Sequence, residues 1–177
     1  MIHEEWQKKE LWDNYWSRPY KNYRKHHELF WGLILNNSSG AILDLGCGPA
    51  CIWEGRNKDI TGVDYSVSAI EEAKKNVPDG KFLVADLNKK LPLKEKFDVI
   101  VLCGVINYFP DLTNLKSEVK RLSKNRETLV LITINDLEGL NNRFWDEYAV
   151  KEEFSSWGRL VSWMFYPKIG WLIKIVC

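Results

Sequence analysis

The chain of 177 residues has no apolar run long enough to cross a bilayer. Its opening residues, Met1-Ile2-His3-Glu4-Glu5-Trp6, lack the apolar core of a signal peptide. Neither a membrane anchor nor export is expected, and the cytoplasm is the expected location. Cysteine is scarce. The four, at 47, 51, 103 and 177, form no Cys-x-x-Cys pair and no zinc spacing, so no metal site is expected and the thiols read as reduced. Charge of one sign is also lacking. The net charge is +1 with 28% charged residues, so no global field points to nucleic acid or to a membrane surface. There is no internal repeat and no low-complexity tract. The length suits one domain with one core and is short for two.

Tryptophan, in contrast, is abundant, with nine in the chain and several near its two ends. Large aromatics dominate burial in most domains, so a core built from them is the first reading and an aromatic-lined pocket the second. The most informative stretch is Ala41 to Ala50. Ala41-Ile42-Leu43 runs into Asp44-Leu45, and the chain then breaks at Gly46-Cys47-Gly48-Pro49. An apolar run stopped by paired glycines reads as a buried strand ending in a tight loop. Glycine there tolerates positive φ and lets a ligand approach the backbone. In open α/β sheets, ligands bind at such loops beyond the carboxyl ends of strands.

Two nucleotide-binding readings fail on the residues. A phosphate-binding P-loop needs a Lys-Ser or Lys-Thr pair after its last glycine, and none follows Gly48. The dinucleotide fingerprint needs glycine or alanine at its sixth position, which is Cys51 here. Asp44, two residues before the first glycine, is awkward for a pyrophosphate and suits a cationic ligand. With its acidic-x-Gly-x-Gly motif at Asp44, Gly46 and Gly48, the chain resembles the class I S-adenosylmethionine-dependent methyltransferases. In that family the glycine loop lies under the amino-acid end of the cofactor, which carries an ammonium and a sulfonium.

Ile60 to Asp64 reads as the second strand, with an acid at its carboxyl end. Asp64 follows Asp44 by about 20 residues, the spacing of a ribose-binding acid in a nucleotide-binding βαβ unit. One carboxylate can accept hydrogen bonds from both ribose hydroxyls. Lys81 to Asp86 is a third strand, again ending in an acid. The resemblance implies that Asp86 receives the adenine amine and the Leu87 amide meets the ring. It adds Cys47, Tyr65 and Cys103 to the cofactor-side set. The recurrence of acids at 44, 64 and 86 is the strongest signal in the chain.

The remaining segments follow in order. Residues 4 to 16 space Trp6, Lys9, Trp12, Asp13 and Trp16 as a short amphipathic helix, and residues 20 to 36 read as a longer one. Between them runs Arg18 to His27, basic and aromatic. It reads either as a substrate or nucleic-acid contact or as a solvated face beside a basic turn. Cys51 to Asp59 is expected to hold an abbreviated crossover of two helical turns and a loop. Ser66 is an N-cap for a helix whose Val67, Ile70 and Ala73 face inward. Phe97 to Cys103 is the most apolar strand, expected at the sheet centre. Asp111 or Thr113 caps a helix to Lys124, and Thr128 to Ile134 is a fifth strand. Arg159 to Phe165 and Trp171 to Val176 form a terminal hairpin.

The fold class expected is therefore α/β: a single doubly wound, mostly parallel seven-stranded sheet with a C-terminal antiparallel hairpin and an N-terminal helical lid. The organisation expected is one domain: helices and lid over 1–40, a cofactor core over 41–134, a substrate-side insert over 135–157 and the hairpin over 158–177. The resemblance implies S-adenosyl-L-methionine as cofactor. Trp12, Tyr15, Trp16 and Tyr20 are candidates for the lid over the methyl group and Tyr108 for its far side, with Asn107 a further substrate-side candidate. Tyr108, His26 and His27 are candidate general bases. The Asn107-Tyr108-Phe109-Pro110 run does not match the Asn-Pro-Pro-aromatic motif of base and glutamine methyltransferases. A small-molecule acceptor is the expected substrate. An RNA or protein methyltransferase using the Arg18–His27 run, and a cofactor-binding protein without catalysis, are the alternatives.

Overall fold

The computed structural model describes residues 8–17, 23–135, 145–166 and 170–177, with side chains of 23–29 and 135 outside the description. Its strands are β1 (Ala41–Leu45), β2 (Asp59–Asp64), β3 (Lys81–Val84), β4 (Val99–Cys103), β5 (Leu129–Asn135), β6 (Arg159–Tyr166) and β7 (Gly170–Val176). They form one seven-stranded sheet in the order β3-β2-β1-β4-β5-β7-β6. The strands β1 to β5 pair in parallel, and β7 runs antiparallel to both β5 and β6. This is the doubly wound sheet with a closing hairpin that the sequence implies.

The strand patterns explain the layering. Along β4, Ile100 and Leu102 pack into one cluster, while Val99 and Val101 pack into another on the opposite face. Alternate side chains of a strand point to opposite faces, so a strand that is apolar at every position must be covered on both. One cover is α4 (Thr113–Leu122), which contributes Leu115, Val119 and Leu122, together with α5 (Glu147–Ser155), which contributes Val150 and Phe154. The other face receives Ile34 of α2 (Tyr23–Asn37) and Ala73 of α3 (Val67–Asn76). Trp145, Trp157 and Trp171 are buried in the first cluster, and Trp53 in the second. Trp145 stacks on Phe154 at 5.4 Å. Most of the tryptophans that the structure describes thus serve the core.

Several local expectations are corrected. The crossover after the glycine loop is not two helical turns but one 3-10 turn, Cys51–Trp53. It is entered through Ala50 in the left-handed conformation at φ 57° and anchored by the wholly buried Trp53. Val67 is exposed, because it is the first residue of α3, and Ala69 takes its inward place. The third strand stops at Val84, so Asp86 stands two residues beyond it. Phe97 precedes β4 and bridges Ser123. The N-terminal helix is described from Lys9 as α1 (Lys9–Trp16), with 4–7 outside the described residues.

Chain order fixes where a ligand site forms. The chain leaves β1 for β2 and β3 on one side, then returns to lay β4 on the other. Adjacent loops diverge at that reversal and leave a crevice beyond the carboxyl ends of β1 and β4.

Candidate active site

Asp44 is the penultimate residue of β1 and lies at this crevice, 2% exposed. Its Oδ2 accepts a hydrogen bond from Trp53 Nε1 at 2.7 Å. Its Oδ1 is buried and has no hydrogen-bond partner among the described residues. A buried carboxylate oxygen without a donor is costly, and such an atom calls for a cationic or donor group. Burial holds the Asp44 carboxyl far above the usual range, at about 7, with the Trp53 bond opposing and the Asp64 charge adding to the rise.

The loop after β1 turns on two glycines with positive φ, Gly46 at 74° and Gly48 at 52°. The amides of Gly46 and Cys47 both donate to the Val63 carbonyl, at 2.7 and 3.0 Å. A side chain on Gly46 would collide with Val105. One on Gly48 would sit 3.1 Å from the Trp16 ring. Asp64, at the end of β2, pins the same loop. Its Oδ2 accepts the Gly48 amide at 2.8 Å and its Oδ1 accepts the Ser66 amide at 2.9 Å. Burial raises the Asp64 carboxyl, while the backbone bonds from Ser66, Gly48 and Tyr65 pull against it.

The helix α1 closes over this loop. Asp13 Oδ1 accepts from the Val67 amide at 2.7 Å and from Ser66 Oγ at 2.6 Å. Ser68 Oγ donates to the Asp13 carbonyl at 2.8 Å. A carboxylate at the first turn of a helix meets amides that have no partner within the helix, and it complements the helix dipole. Ser66 itself caps α3 as expected, its Oγ accepting from the Ala69 amide at 3.2 Å. Trp12 meets Tyr108 edge to face at 4.8 Å, and Tyr15 meets Trp16 in the same way at 4.8 Å. Tyr108 lies in a 3-10 turn, Ile106–Tyr108, directly beyond β4. Burial pushes its hydroxyl up to about 12, with Tyr15 adding to the rise.

Of the sequence-predicted residues, Asp44, Gly46, Cys47, Gly48 and Asp64 come together at the carboxyl ends of β1 and β2, with the Trp16 ring at Gly48 and ring contacts running from it through Tyr15 and Trp12 to Tyr108. Cys103 ends β4, accepts from Thr133 Oγ1 at 3.5 Å, and has its thiol pushed up to about 12 by burial. The Cys47 thiol is likewise raised well above its ordinary value by burial. Asn107 is buried in the turn that carries Tyr108. Tyr65 follows Asp64, and Leu87 is buried. Asp86 lies in the loop after β3, its Oδ1 accepting the Asn88 amide at 2.9 Å with Lys89 Nζ 3.6 Å away from Oδ2. The β2–β3 register sets Asp64 opposite Val84, which places Asp86 just past the same sheet rim. Tyr20 and the side chains of His26 and His27 lie outside the described residues, as does most of the Arg18–His27 run.

Sequence reasoning did not assign Trp53 or Asp13 to the site. A tryptophan nine residues after Asp44, in a segment too short for a regular crossover helix, was the available signal for the first. Nothing in the spacing of α1 marks Asp13 as the partner of a helix 54 residues away. A cleft of about 580 Å³ runs beside α4 and α5, lined by Phe109, Lys116, Lys120 and Trp145 among others. It contains neither the glycine loop nor the two buried acids. Among the described residues, no group of three His, Cys, Asp or Glu side chains could hold a metal ion. No described helix is long and apolar enough to cross a membrane.

Comparison with known proteins bears on the family and the fold. A family model described as a methyltransferase domain matches residues 36–173. The chain is 30% identical over 108 residues to the demethylmenaquinone methyltransferase of Thermotoga maritima, covering 58% of this chain and 47% of that one. It is 31% identical over 107 residues to a ubiquinone biosynthesis O-methyltransferase of Histophilus somni, covering 53% and 44%. The matches thus span about half the length of these curated relatives. The fold is also that of magnesium protoporphyrin IX methyltransferase from Synechocystis PCC 6803, solved with bound SAM. There the TM-score is 0.71 at 14% identity, covering 99% of this chain and 94% of that one.

Proposed function

The chain belongs to the methyltransferase-domain family, and from that membership we propose that it transfers a methyl group from S-adenosylmethionine to a small-molecule acceptor in the cytoplasm. The observation that carries the cofactor assignment is the buried, unpartnered Oδ1 of Asp44 beside the positive-φ glycine loop. An acid that is buried without a cation fits a ligand that brings one. When bound, S-adenosylmethionine would supply an electrophilic methyl on a sulfonium, open to in-line attack by the acceptor as the carbon–sulfur bond breaks and S-adenosylhomocysteine leaves.

The residues divide the work of holding and aligning. Asp44 Oδ1 would take the cofactor's ammonium, and Gly46 to Gly48 would let the amino-acid end lie against the backbone. A carboxylate offers about four lone-pair sites. The Gly48 and Ser66 amides take one site on each oxygen of Asp64, and the others would remain for the ribose hydroxyls. Asp86 and the Leu87 amide stand at the adenine end. Trp12, Trp16 and Tyr108 would shield the methyl from water, and an aromatic face against the sulfonium would contribute roughly 0.5–2 kcal/mol. Aligning the acceptor with the methyl can supply roughly 7–11 kcal/mol of the barrier.

The same electrostatics narrow the chemistry. A phenol raised to about 12 stays protonated at neutral pH, so Tyr108 orients the acceptor as a donor rather than removing its proton. Cys47 and Cys103 stay protonated as well, which argues against a thiolate relay. The named methyltransferase relatives act in small-molecule pathways, in keeping with the near-neutral charge of this chain. The test is a screen of cell extract with methyl-labelled cofactor. Label in the low-molecular-weight fraction supports the reading. Label confined to RNA or protein, or no label above the protein-free control, contradicts it.

A further inference from the structure

We propose that Trp53 is a positioning residue for the cofactor's ammonium group: its indole N–H occupies one oxygen of Asp44 and so presents the other to the site. The inference rests on the cofactor reading above and assigns a role to a residue outside the motif. Trp53 is wholly buried in the 3-10 turn that stands where a crossover helix was expected. The left-handed Ala50 turns the chain into it, and the Trp53 amide donates back to the Ala50 carbonyl at 2.9 Å. From there the indole reaches Asp44 Oδ2 at 2.7 Å, the distance of a charge-assisted bond.

The asymmetry between the two oxygens is the central observation. Indole nitrogen is a donor only, so Oδ2 must act as an acceptor, and the carboxyl cannot turn its proton toward Trp53. Oδ1, equally buried, has no partner among the described residues. Among the described residues, the titratable groups coupled electrostatically to Asp44 are Asp64 at the end of β2, Cys47 in the loop and Cys103 at the end of β4. None of these is a cation. Among the described residues no lysine, arginine or histidine bonds to Asp44. Trp53 is therefore the protein's own counterweight to a second carboxylate, and the ligand's ammonium completes the set.

The experiment is calorimetry on the full chain with two probes. S-adenosylhomocysteine carries the ammonium, and 5′-methylthioadenosine has the same adenosyl group without it. Trp53→Phe keeps a large apolar ring and deletes the donor. It is expected to weaken S-adenosylhomocysteine binding roughly 10-fold at pH 7, the scale of a lost hydrogen bond to a charged group. It should also move the pH midpoint of that affinity upward and leave 5′-methylthioadenosine unchanged. Equal weakening of both probes, or no weakening of either, overturns the proposal.

A measurement on the unaltered protein stands beside it in case the Phe variant fails to fold. One indole N–H resonance should titrate near pH 7 and cease to do so once S-adenosylhomocysteine saturates the site. If no indole resonance titrates, the proposal is wrong. Failure of the unaltered protein to bind S-adenosylhomocysteine at any pH would sink the site assignment and this inference together. Normal binding with an unperturbed Phe variant sinks this inference alone.

Discussion

The Asp13 carboxylate accepts the Val67 backbone amide at 2.7 Å, tying α1 to the first turn of α3 across 54 residues of sequence. The α3 helix begins three residues after Asp64, so the helix that covers the glycine loop is fastened to the strand end that pins it. Removing this one contact should loosen the cover without disturbing the sheet.

Asp13→Ala is accordingly expected to lower stability by about 1 kcal/mol, the usual cost of losing an acceptor at a helix N-terminus. Limited proteolysis should cut α1 faster in the variant, while the circular dichroism of the sheet stays unchanged. Burial raises the Asp13 carboxyl, but bonds from Lys9, Ser66 and Ser68 outweigh it and hold the group down at about 2. A depressed acid stabilises the fold above its unfolded value, near 4, and that contribution is lost as pH falls toward 2. The unaltered protein should therefore lose its advantage over Asp13→Ala across that window in denaturant titrations. A constant difference down to pH 2 would show that the carboxylate charge is not what holds α1.

Gly46→Ala tests the loop. At φ 74° any other residue is strained by roughly 1–2 kcal/mol, and the added methyl meets Val105 as well. Thermal unfolding should shift down by several degrees, with cofactor affinity falling in parallel. A variant with native stability and affinity would mean that the loop can move aside at no cost.

Asp64→Asn separates a ligand contact from a structural one. The present carboxylate accepts the Gly48 and Ser66 amides on different oxygens. An amide side chain has one acceptor oxygen and must abandon one of these bonds, at a cost of about 1–3 kcal/mol of stability. Cofactor affinity should fall beyond what the loosened loop explains, and the fall should be similar for every ligand that keeps the ribose. Unchanged affinity would remove Asp64 from the binding site.

These contrasts also show how far the residues themselves spoke. Asp44, Gly46, Gly48 and Asp64 were legible because strand, turn and acid follow one another in the sequence, and local order dictates their placement. The hairpin was legible because two strand-like runs flank Pro167 to Gly170. Trp53 was legible only as a large aromatic in a crossover too short for a regular helix, since its role depends on the left-handed Ala50, and alanine gives no sign of such a turn. The exposed Val67 was misread because periodicity places a residue on a helix face but does not say which residue opens the helix. Asp13 was seen only as part of an amphipathic face. Its partner amides become available only where α3 starts, which tertiary packing decides.

The central claim is that Asp44 receives a cation, and pH is the direct probe of it. With its carboxyl raised to about 7 by burial, Asp44 favours the folded state while protonated. That stability is lost as pH rises from about 4 through 7 and is recovered when a cationic ligand binds. Each pKa unit is worth about 1.4 kcal/mol, so the effect is large enough to measure. The measurement is calorimetric titration of S-adenosylmethionine into the unaltered protein and into Asp44→Asn from pH 6 to pH 8. The account predicts affinity that rises through pH 7 for the unaltered protein, and weak, nearly pH-independent binding for the variant. Equal affinity for both proteins across that range would contradict it.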